Sequence, residues 1–228
     1  MTGNIPRVRL GAPSVQPAVR PRPPAAPTRY QRFVKPLLDR TAGILLTMMA
    51  APVLGVIALA VMARLGSPVL LRQERVGRDG RVFKVFKFRT MHPDRRVGTR
   101  PIDFPDRRRT HKHPDDPRHT PLGRFLRKYS LDEVPQMLNV ARGEMSLIGP
   151  RPELPQIVAR YEPWEHARHI VTPGLTGLWQ VTERGNGGLM HEHTDIDLRY
   201  VEAVTLRQDL WILLNTVPTL LGRRNAGS

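Results

Sequence analysis

The chain has 228 residues, enough for one domain of ordinary size with appended segments. Lysine and arginine number 36 against 20 aspartates and glutamates, a formal net charge of +16 that indicates an anionic partner such as nucleic acid, anionic lipid or a nucleotide. No cysteine is present, which excludes disulfides, a thiol nucleophile and cysteine-ligated zinc.

Residues 1–29 are rich in proline, arginine and alanine and carry few apolar side chains. We interpret them as a disordered basic tail that stays on the mature protein, because the pattern of a signal peptide is missing. Their arginines either contact anionic lipid headgroups or are simply solvated, and composition does not choose between the two.

Residues 41–63 contain no charged side chain, and as a helix they would be about 35 Å long, enough to cross a bilayer core. Pro52 lies near the middle and predicts a kink or a break. Both flanks are basic, whereas a spanning helix would place one of them outside the cell. Two topologies therefore stay open: a proline-kinked spanning helix, and a re-entrant helix whose two ends remain in the cytoplasm.

Residues 69–91 contain two β-prone runs around Asp79 and Gly80, a turn signal that predicts a β-hairpin. Aromatic and basic side chains alternate along the second run, a pattern that is also typical of surfaces binding single-stranded nucleic acid. Residues 92–120 are rich in arginine, histidine, proline and aspartate and predict a long loop. The spacing of His111, His113 and His119 fits no standard metal site, so we interpret them as solvated.

Residues 122–129 predict a short helix, and the run SLDEVPQMLN that follows begins at Ser130. It places Asp132 and Glu133 near a predicted helix start, where ionised carboxylates are stabilised and phosphate is attracted. Adjacent carboxylates repel each other, and Mg²⁺ beside substrate phosphates would relieve the repulsion. On the residues alone, a capping box from Ser130 to Glu133 is the simpler interpretation, and the two roles are compatible for Ser130.

Two arginines flank this run. Arg127 lies five residues before Asp132, within reach of a phosphate held there. Arg151 lies between Pro150 and Pro152, so its backbone is restricted and its planar guanidinium suits phosphate binding. A structural salt bridge is the alternative for Arg151. Residues 153–170 and 195–221 predict further helix, with Trp211 and the nearby leucines expected in the core.

The run SLDEVPQMLNVARGEMSLIGPRPELP, with KFRTM before it and RHIVTPGLTGLWQV after it, resembles the bacterial sugar transferase family, the monotopic phosphoglycosyl transferases. The resemblance covers residues 30–221. It implies an α+β, mostly helical fold: a membrane-associated monotopic domain with a re-entrant N-terminal helix broken at Pro52 and a small β-hairpin. The expected organisation is a tail at 1–29, a re-entrant helix region at 30–66, a catalytic domain at 67–221 and a C-terminal tail at 222–228.

The resemblance also implies a reaction. Such an enzyme moves a sugar-1-phosphate from a UDP-sugar to a polyprenyl (undecaprenyl) phosphate at the cytoplasmic face of the bacterial inner membrane, releases UMP and starts glycoconjugate or exopolysaccharide assembly. Asp132 would carry the phosphosugar covalently, and Asp132 and Glu133 would hold Mg²⁺. The expected phosphate-binding residues are Arg127, Arg151, Lys87, Arg89 and Arg75. The family's loop pattern is changed at residues 182–187, where nucleotide contacts would lie.

The partners expected from this resemblance are the UDP-sugar, the polyprenyl phosphate and anionic membrane lipids, and no nucleic acid. The alternative function is a non-enzymatic basic protein that binds membrane or nucleic acid. A family member that kept the fold and lost its activity is a further alternative, against which the intact Asp132–Glu133 pair argues. The sugar, the prenyl length and the oligomeric state, a homodimer included, stay open.

Overall fold

The computed structural model describes residues 26–92, 118–183 and 193–220, and every structural statement below concerns these ranges. Most of the expected N-terminal tail, the centre of the expected loop with His111 and His113, and the C-terminal tail lie outside them. The altered loop at residues 182–187 is described only as far as Glu183.

The described chain is mostly helical, with two small sheets. A π-helical turn, Tyr30–Val34, leads into α1, Lys35–Leu65, which is followed by β1, Leu70–Val76, and β2, Val82–Phe88. The elements after the gap are short: α2 (Pro121–Lys128), a 3-10 helix (Leu131–Gln136), α3 (Met137–Ala141), β3 (Ser146–Ile148), α4 (Pro155–Val158), a 3-10 helix (Glu165–Ile170), β4 (Gly174–Thr176), α5 (Leu178–Thr182), α6 (Thr194–Glu202) and α7 (Leu206–Leu220). The mostly helical α+β fold is confirmed.

The predicted hairpin is present. Strands β1 and β2 pair antiparallel, with Leu71 opposite Lys87 and Val76 opposite Val82. Asp79 and Gly80 form the turn with φ values of 54° and 74°, a left-handed conformation that aspartate tolerates and glycine adopts freely. A second, parallel pair of β3 and β4 was not predicted, since three-residue strands carry no readable alternation.

Helix α1 continues through Pro52, which lies inside it and not at an end. The expected division into two helices at this proline is therefore absent, and a re-entrant path stays a prediction. The hydroxyl of Thr47 donates to the carbonyl of Gly43 at 2.7 Å, the ordinary backward hydrogen bond of a helical threonine.

Both ends of α1 pack on the same folded domain. Near its start, a Cβ on Gly43 would lie 2.7 Å from the backbone nitrogen of Ala141, so only glycine allows α1 and α3 to approach this closely. Near its end, Val61 is completely buried in a cluster with Leu126. The middle of the helix is different, because Met49 is 76% exposed. The helix therefore contacts the domain twice and presents an apolar stretch between the two contacts.

A buried polar cluster fixes the first turns of α1. The ammonium of Lys35 lies 2.8 Å from Asp209 Oδ2, and the hydroxyl of Tyr200 donates to Asp209 Oδ1 at 2.8 Å. One turn along α1, Asp39 accepts a hydrogen bond from the hydroxyl of Ser146 at 2.6 Å. Burial and the charge of Asp209 raise the pKa of Tyr200 far above its ordinary value, so its hydroxyl remains a donor. These contacts join α1 to β3, α6 and α7.

The C-terminal part differs from prediction in two respects. The expected helical segment is divided into α6 and α7, and on α7 only one side packs inward: Ile212 is completely buried, whereas Trp211 is 45% and Leu214 73% exposed. The expectation that Trp211 and its neighbouring leucines lie in the core is wrong. α7 instead presents apolar side chains outward, as the middle of α1 does.

We expect Asp209→Ala to lower the free energy of unfolding by about 3–5 kcal/mol, because it leaves the buried Lys35 ammonium without that carboxylate. Thermal unfolding in a neutral detergent measures the change. The control is Asp195→Ala, which removes an exposed ion pair to Arg199 and is expected to cost less than about 1 kcal/mol. Equal losses in both variants would contradict a structural role for the buried cluster.

Candidate active site

Glu133 is the centre of a three-residue ionic cluster. The ammonium of Lys87, on β2, lies 2.8 Å from Glu133 Oε1. The guanidinium of Arg151 contacts both carboxylate oxygens, with Nη2 at 2.5 Å from Oε1 and Nη1 at 3.1 Å from Oε2. The three side chains are between 16% and 28% exposed, so water screens them little. Three segments that are far apart in the sequence meet at one carboxylate.

This environment determines the protonation of Glu133. Burial alone would raise its pKa, but the charges of Arg151 and Lys87 outweigh burial and hold the pKa of Glu133 well below its usual value. Burial lowers the pKa of Lys87, and the charge of Glu133 opposes that shift. At neutral pH, Glu133 is consequently an ionised carboxylate clamped between two cations.

Asp132 has the opposite environment, although it is the adjacent residue. Burial raises its pKa, and the charge of Glu133 adds to that rise, while Lys87 and Arg151 oppose it. Neither cation comes within 4.0 Å of its carboxylate, and no other described residue forms an ion pair with it. Asp132 is therefore the carboxylate of the pair whose charge no contact neutralises.

The local backbone explains why the two carboxylates differ. Ser130 adopts a left-handed conformation with φ of 55°, and a 3-10 helix with Pro135 inside it follows. The side chain of Ser130 makes no cap to this helix, and the Glu133 carboxylate extends to Lys87 and Arg151. The capping box expected between Ser130 and Glu133 is therefore wrong. The alternative interpretation of Arg151, a salt bridge, describes its contacts in this structure.

Asn139 positions the carboxylate segment against the hairpin. Its side-chain oxygen accepts from the backbone N–H of Phe86 at 3.2 Å, and its amide nitrogen donates to the carbonyl of Lys84 and to Glu144 Oε2, both at 2.8 Å. Asn139 is completely buried. It thereby attaches α3, directly after the 3-10 helix, to the strand that carries Lys87. The sequence did signal this role, because Asn139 is the one polar residue in the apolar run MLNV, but it was not predicted from the sequence.

Arg168 positions Arg151 from the other side. Its guanidinium is completely buried and donates to the backbone carbonyl of Arg151 at 2.8 Å, to the hydroxyl of Tyr161 and to Asp197. The charge of Asp197 favours the ionised guanidinium inside the protein. Asp197 thus acts through Arg168 on the backbone of a site residue. Sequence reasoning missed Arg168, since nothing local reveals its partners.

Arg89, expected to bind phosphate, has a structural role in this structure. Its guanidinium is buried and donates to the carbonyl of Ser67 at 2.9 Å and to the carbonyl of Leu65. Leu65 is the last residue of α1, and carbonyls at a helix C-terminus attract cations because they lack helical partners. Arg89 therefore caps α1 in this structure, and its phosphate contact stays a prediction.

The remaining two expected arginines have other contacts, and only Arg75 is shown to act on the cluster. Arg127 Nη1 lies 2.9 Å from His119 Nε2. Arg75 donates to Gln73 Oε1 at 2.7 Å, and the strand register places it on the same hairpin face as Lys87. Of the expected site residues, the structure brings together Asp132, Glu133, Lys87 and Arg151, with Arg75 at the edge.

The donor set fits a magnesium ion that shares its ligands with substrate. Mg²⁺ is commonly held by one or two carboxylates plus phosphate oxygens and water. Asp132 has two oxygens without an ion pair, whereas Glu133 Oε1 already accepts from both Lys87 and Arg151, so only Oε2 keeps a free lone pair. Within the described ranges, no group of three or more histidines and carboxylates is placed to hold a metal by itself.

Comparison with known proteins identifies the family. A family model described as bacterial sugar transferase matches residues 30–223. This chain belongs to the bacterial sugar transferase family. The resemblance inferred from the sequence is confirmed, and it favours a transferase over a nucleic-acid-binding protein.

Three relatives show the range of this similarity. The chain is 41% identical over 199 residues to the UDP-glucose:undecaprenyl-phosphate glucose-1-phosphate transferase of Caulobacter vibrioides, over 84% of this chain and 71% of the relative. It is 40% identical to the undecaprenyl-phosphate glucose phosphotransferase of Komagataeibacter xylinus, over 87% of this chain and 38% of that protein. It is 36% identical to the undecaprenyl-phosphate galactose phosphotransferase of Salmonella typhimurium, over 87% of this chain and 42% of that protein. The chain thus spans about two fifths of the length of the last two relatives.

We expect Glu133→Gln to lower the free energy of unfolding by about 3 kcal/mol near neutral pH, because Lys87 and Arg151 then remain buried without a carboxylate. The pKa of Glu133 is depressed in the folded state, so its stabilisation is complete above its ordinary value of 4.5 and is lost as the pH falls through the folded-state value. The difference between wild type and variant should therefore shrink below pH 4.5, as measured by thermal unfolding across a pH series.

The control for this experiment is Glu74→Gln, which changes an exposed carboxylate of β1 that forms no ion pair with any described residue. We expect it to alter the free energy of unfolding by less than about 0.5 kcal/mol at every pH. A Glu133→Gln difference that is absent, or that does not vary with pH, would contradict the ionic cluster.

Proposed function

We propose that this protein transfers a sugar-1-phosphate from a UDP-sugar to a polyprenyl phosphate and releases UMP. The observation that carries the proposal is the unequal carboxylate pair: Glu133 is neutralised by Lys87 and Arg151, while Asp132 beside it forms no ion pair with any described residue. The named relatives act on undecaprenyl phosphate with glucose or galactose donors, which supports the same substrate classes here.

The proposed chemistry has two displacements at one phosphorus atom. In the first, a carboxylate oxygen of Asp132 attacks the phosphorus that bears the sugar, and the bond to UMP breaks, with the electron pair leaving on the UMP phosphate. In the second, an oxygen of the lipid phosphate attacks the same phosphorus and breaks its bond to Asp132. The carboxylate is restored, and the two steps together consume and release no proton.

The basic residues would lower the electrostatic barrier to bringing two anionic phosphates together. Arg151 has five N–H donors, of which Glu133 engages two, and Lys87 has three, of which Glu133 engages one. Donors of both side chains therefore remain for phosphate oxygens while Glu133 holds the side chains in place. Magnesium bound through Asp132 and Glu133 Oε2 would supply further neutralisation of the diphosphate. Arg75 lies close enough to contribute positive charge.

The role of Glu133 follows from its protonation. A carboxylate whose pKa is held well below the usual value stays ionised at neutral pH, so it is a poor proton donor and a weak base. This supports an orienting role for Glu133 over a role in proton transfer. The pKa of Asp132 is raised, and a more basic carboxylate is the better nucleophile once it is ionised. This supports Asp132 as the attacking residue.

The membrane arrangement we propose is monotopic, on the cytoplasmic face. α1 is long and apolar enough to cross a bilayer by length and composition, but both of its ends contact one folded domain, at Asp39 and at Val61. One domain cannot lie on both sides of a membrane, and this supports a helix that dips into one leaflet near Pro52. The exposed Trp211 of α7 would then lie at the interface.

Turnover of an Asp132→Asn variant tests this proposal. UMP release from UDP-glucose and UDP-galactose is measured in the presence of Mg²⁺ and undecaprenyl phosphate. We expect the variant to lose at least about 10³-fold in rate, because the amide is no nucleophile, while it remains folded and membrane-bound. Because ionised Asp132 is the attacking form, wild-type activity should fall as the pH is lowered through a midpoint above 3.8.

The control is Asp195→Asn, an exposed aspartate of α6 that should leave the rate unchanged. Near-normal UMP release by Asp132→Asn would refute Asp132 as the nucleophile. UMP release by the wild type that persists after Mg²⁺ is chelated would refute the role of the metal. Salt-sensitive binding to RNA without UMP release from any UDP-sugar of a panel would favour the alternative function.

A further inference from the structure

A basic concavity lies apart from the candidate active site. It encloses about 920 Å³ between the first turns of α1, the hairpin turn, the residues that follow α3, and residues 170–172. None of Asp132, Glu133, Lys87 and Arg151 lines it. We call it the basic groove.

Basic side chains dominate the groove. Three acidic residues, Asp39, Asp79 and Glu144, lie among six basic ones, which are Arg32, Lys35, Arg40, Arg78, Arg81 and Arg142. Two of the acids already pair with basic residues of the groove, Asp39 with Lys35 and Asp79 with Arg78, both at 3.6 Å. The groove therefore has a surplus of positive charge that its own carboxylates do not neutralise.

Four arginines carry this surplus. Those that form no ion pair with any residue in the described ranges are Arg32, Arg40, Arg81 and Arg142. Packing positions two of them: the Arg40 guanidinium lies so close over Gly143 that a Cβ there would be 2.7 Å from its Nε, and Arg142 stacks 4.9 Å from the centroid of the Phe86 ring. Their charges are thus held at the groove without being cancelled.

The groove borders an apolar surface. The π-helical turn and the first turns of α1 supply Arg32, Pro36 and Arg40 to the groove. On the same turns, the side chains of Phe33 and Leu37 are exposed. Positive charge and exposed apolar area therefore meet along one edge. A free nucleotide or inorganic phosphate would use only the charge, whereas a phospholipid presents a phosphate and acyl chains side by side and would use both.

We propose that the basic groove binds the phosphate of an anionic phospholipid headgroup, with the acyl chains lying against Phe33 and Leu37. This site is distinct from the proposed transferase centre and does not depend on its chemistry. A lipid bound there holds the start of α1 at headgroup depth. The buried contact of Lys35 with Asp209 then transmits that position to the rest of the domain.

The test titrates the full chain, kept in a neutral detergent, with dihexanoylphosphatidylglycerol and counts bound lipid by native mass spectrometry. We expect Arg81→Gln/Arg142→Gln to weaken binding about 25-fold, at about fivefold for each arginine near the headgroup. The control is Arg160→Gln/Arg199→Gln, which removes equal charge from exposed positions outside the groove and should change binding less than about twofold. Equal weakening in both doubles would overturn the proposal, since it would reflect net charge alone.

Competition experiments distinguish a phospholipid headgroup from a free phosphate or nucleotide as the ligand of the groove. We expect inorganic phosphate and UMP, at the concentrations that saturate the lipid, to leave bound phosphatidylglycerol in place. Displacement by UMP that depends on Arg81 and Arg142 would overturn the proposal in favour of a nucleotide site. Arg81→Gln alone changes an exposed turn residue and is expected to fold, so loss of binding in this variant with unchanged thermal unfolding supports the groove directly. Because no turnover is measured, the outcome is independent of the transferase assay.

Discussion

The ionic contact of Glu133 with Lys87 and Arg151 is the constraint on which the candidate site depends. It joins a strand, a 3-10 helix and a proline-flanked segment at one buried carboxylate. Two cations share that carboxylate, so the cluster keeps a net positive charge where an incoming phosphate would bind. The same contact separates the properties of two adjacent acids, because it neutralises Glu133, whereas Asp132 has no ion pair within the described part of the chain. Carboxylates with opposite pKa shifts at one site are a recurring sign of divided chemical roles.

A second layer of buried polar contacts keeps this cluster in place. Arg168 holds the backbone of Arg151, and Asn139 holds the strand that carries Lys87. The ion pair of Lys35 with Asp209 attaches the apolar helix to the same core. The position of α1 relative to the site is consequently fixed by buried interactions that salt screens little.

The sequence predicted the site better than it predicted the partners of each residue. Asp132, Glu133 and Arg151 were singled out from local motifs, Lys87 from the family resemblance, and the hairpin from Asp79 and Gly80. The sequence did not reveal which carboxylate the cations neutralise, since a 3-10 helix directs neighbouring side chains differently from the capped α-helix that was expected. Nor did it reveal that Arg89 contacts carbonyls at the end of α1. Trp211 was misassigned because an amphipathic pattern does not distinguish a core from a membrane surface.

The most direct test of the unequal carboxylate pair is mass spectrometry of the wild-type protein mixed with a UDP-sugar and Mg²⁺ in the absence of lipid phosphate. We expect an added sugar phosphate on the peptide that contains residues 132 and 133, with fragmentation placing it on Asp132. Undecaprenyl phosphate added afterwards should remove it. A modification on Glu133, or rapid UMP release without any covalent sugar phosphate, would contradict Asp132 as the nucleophile.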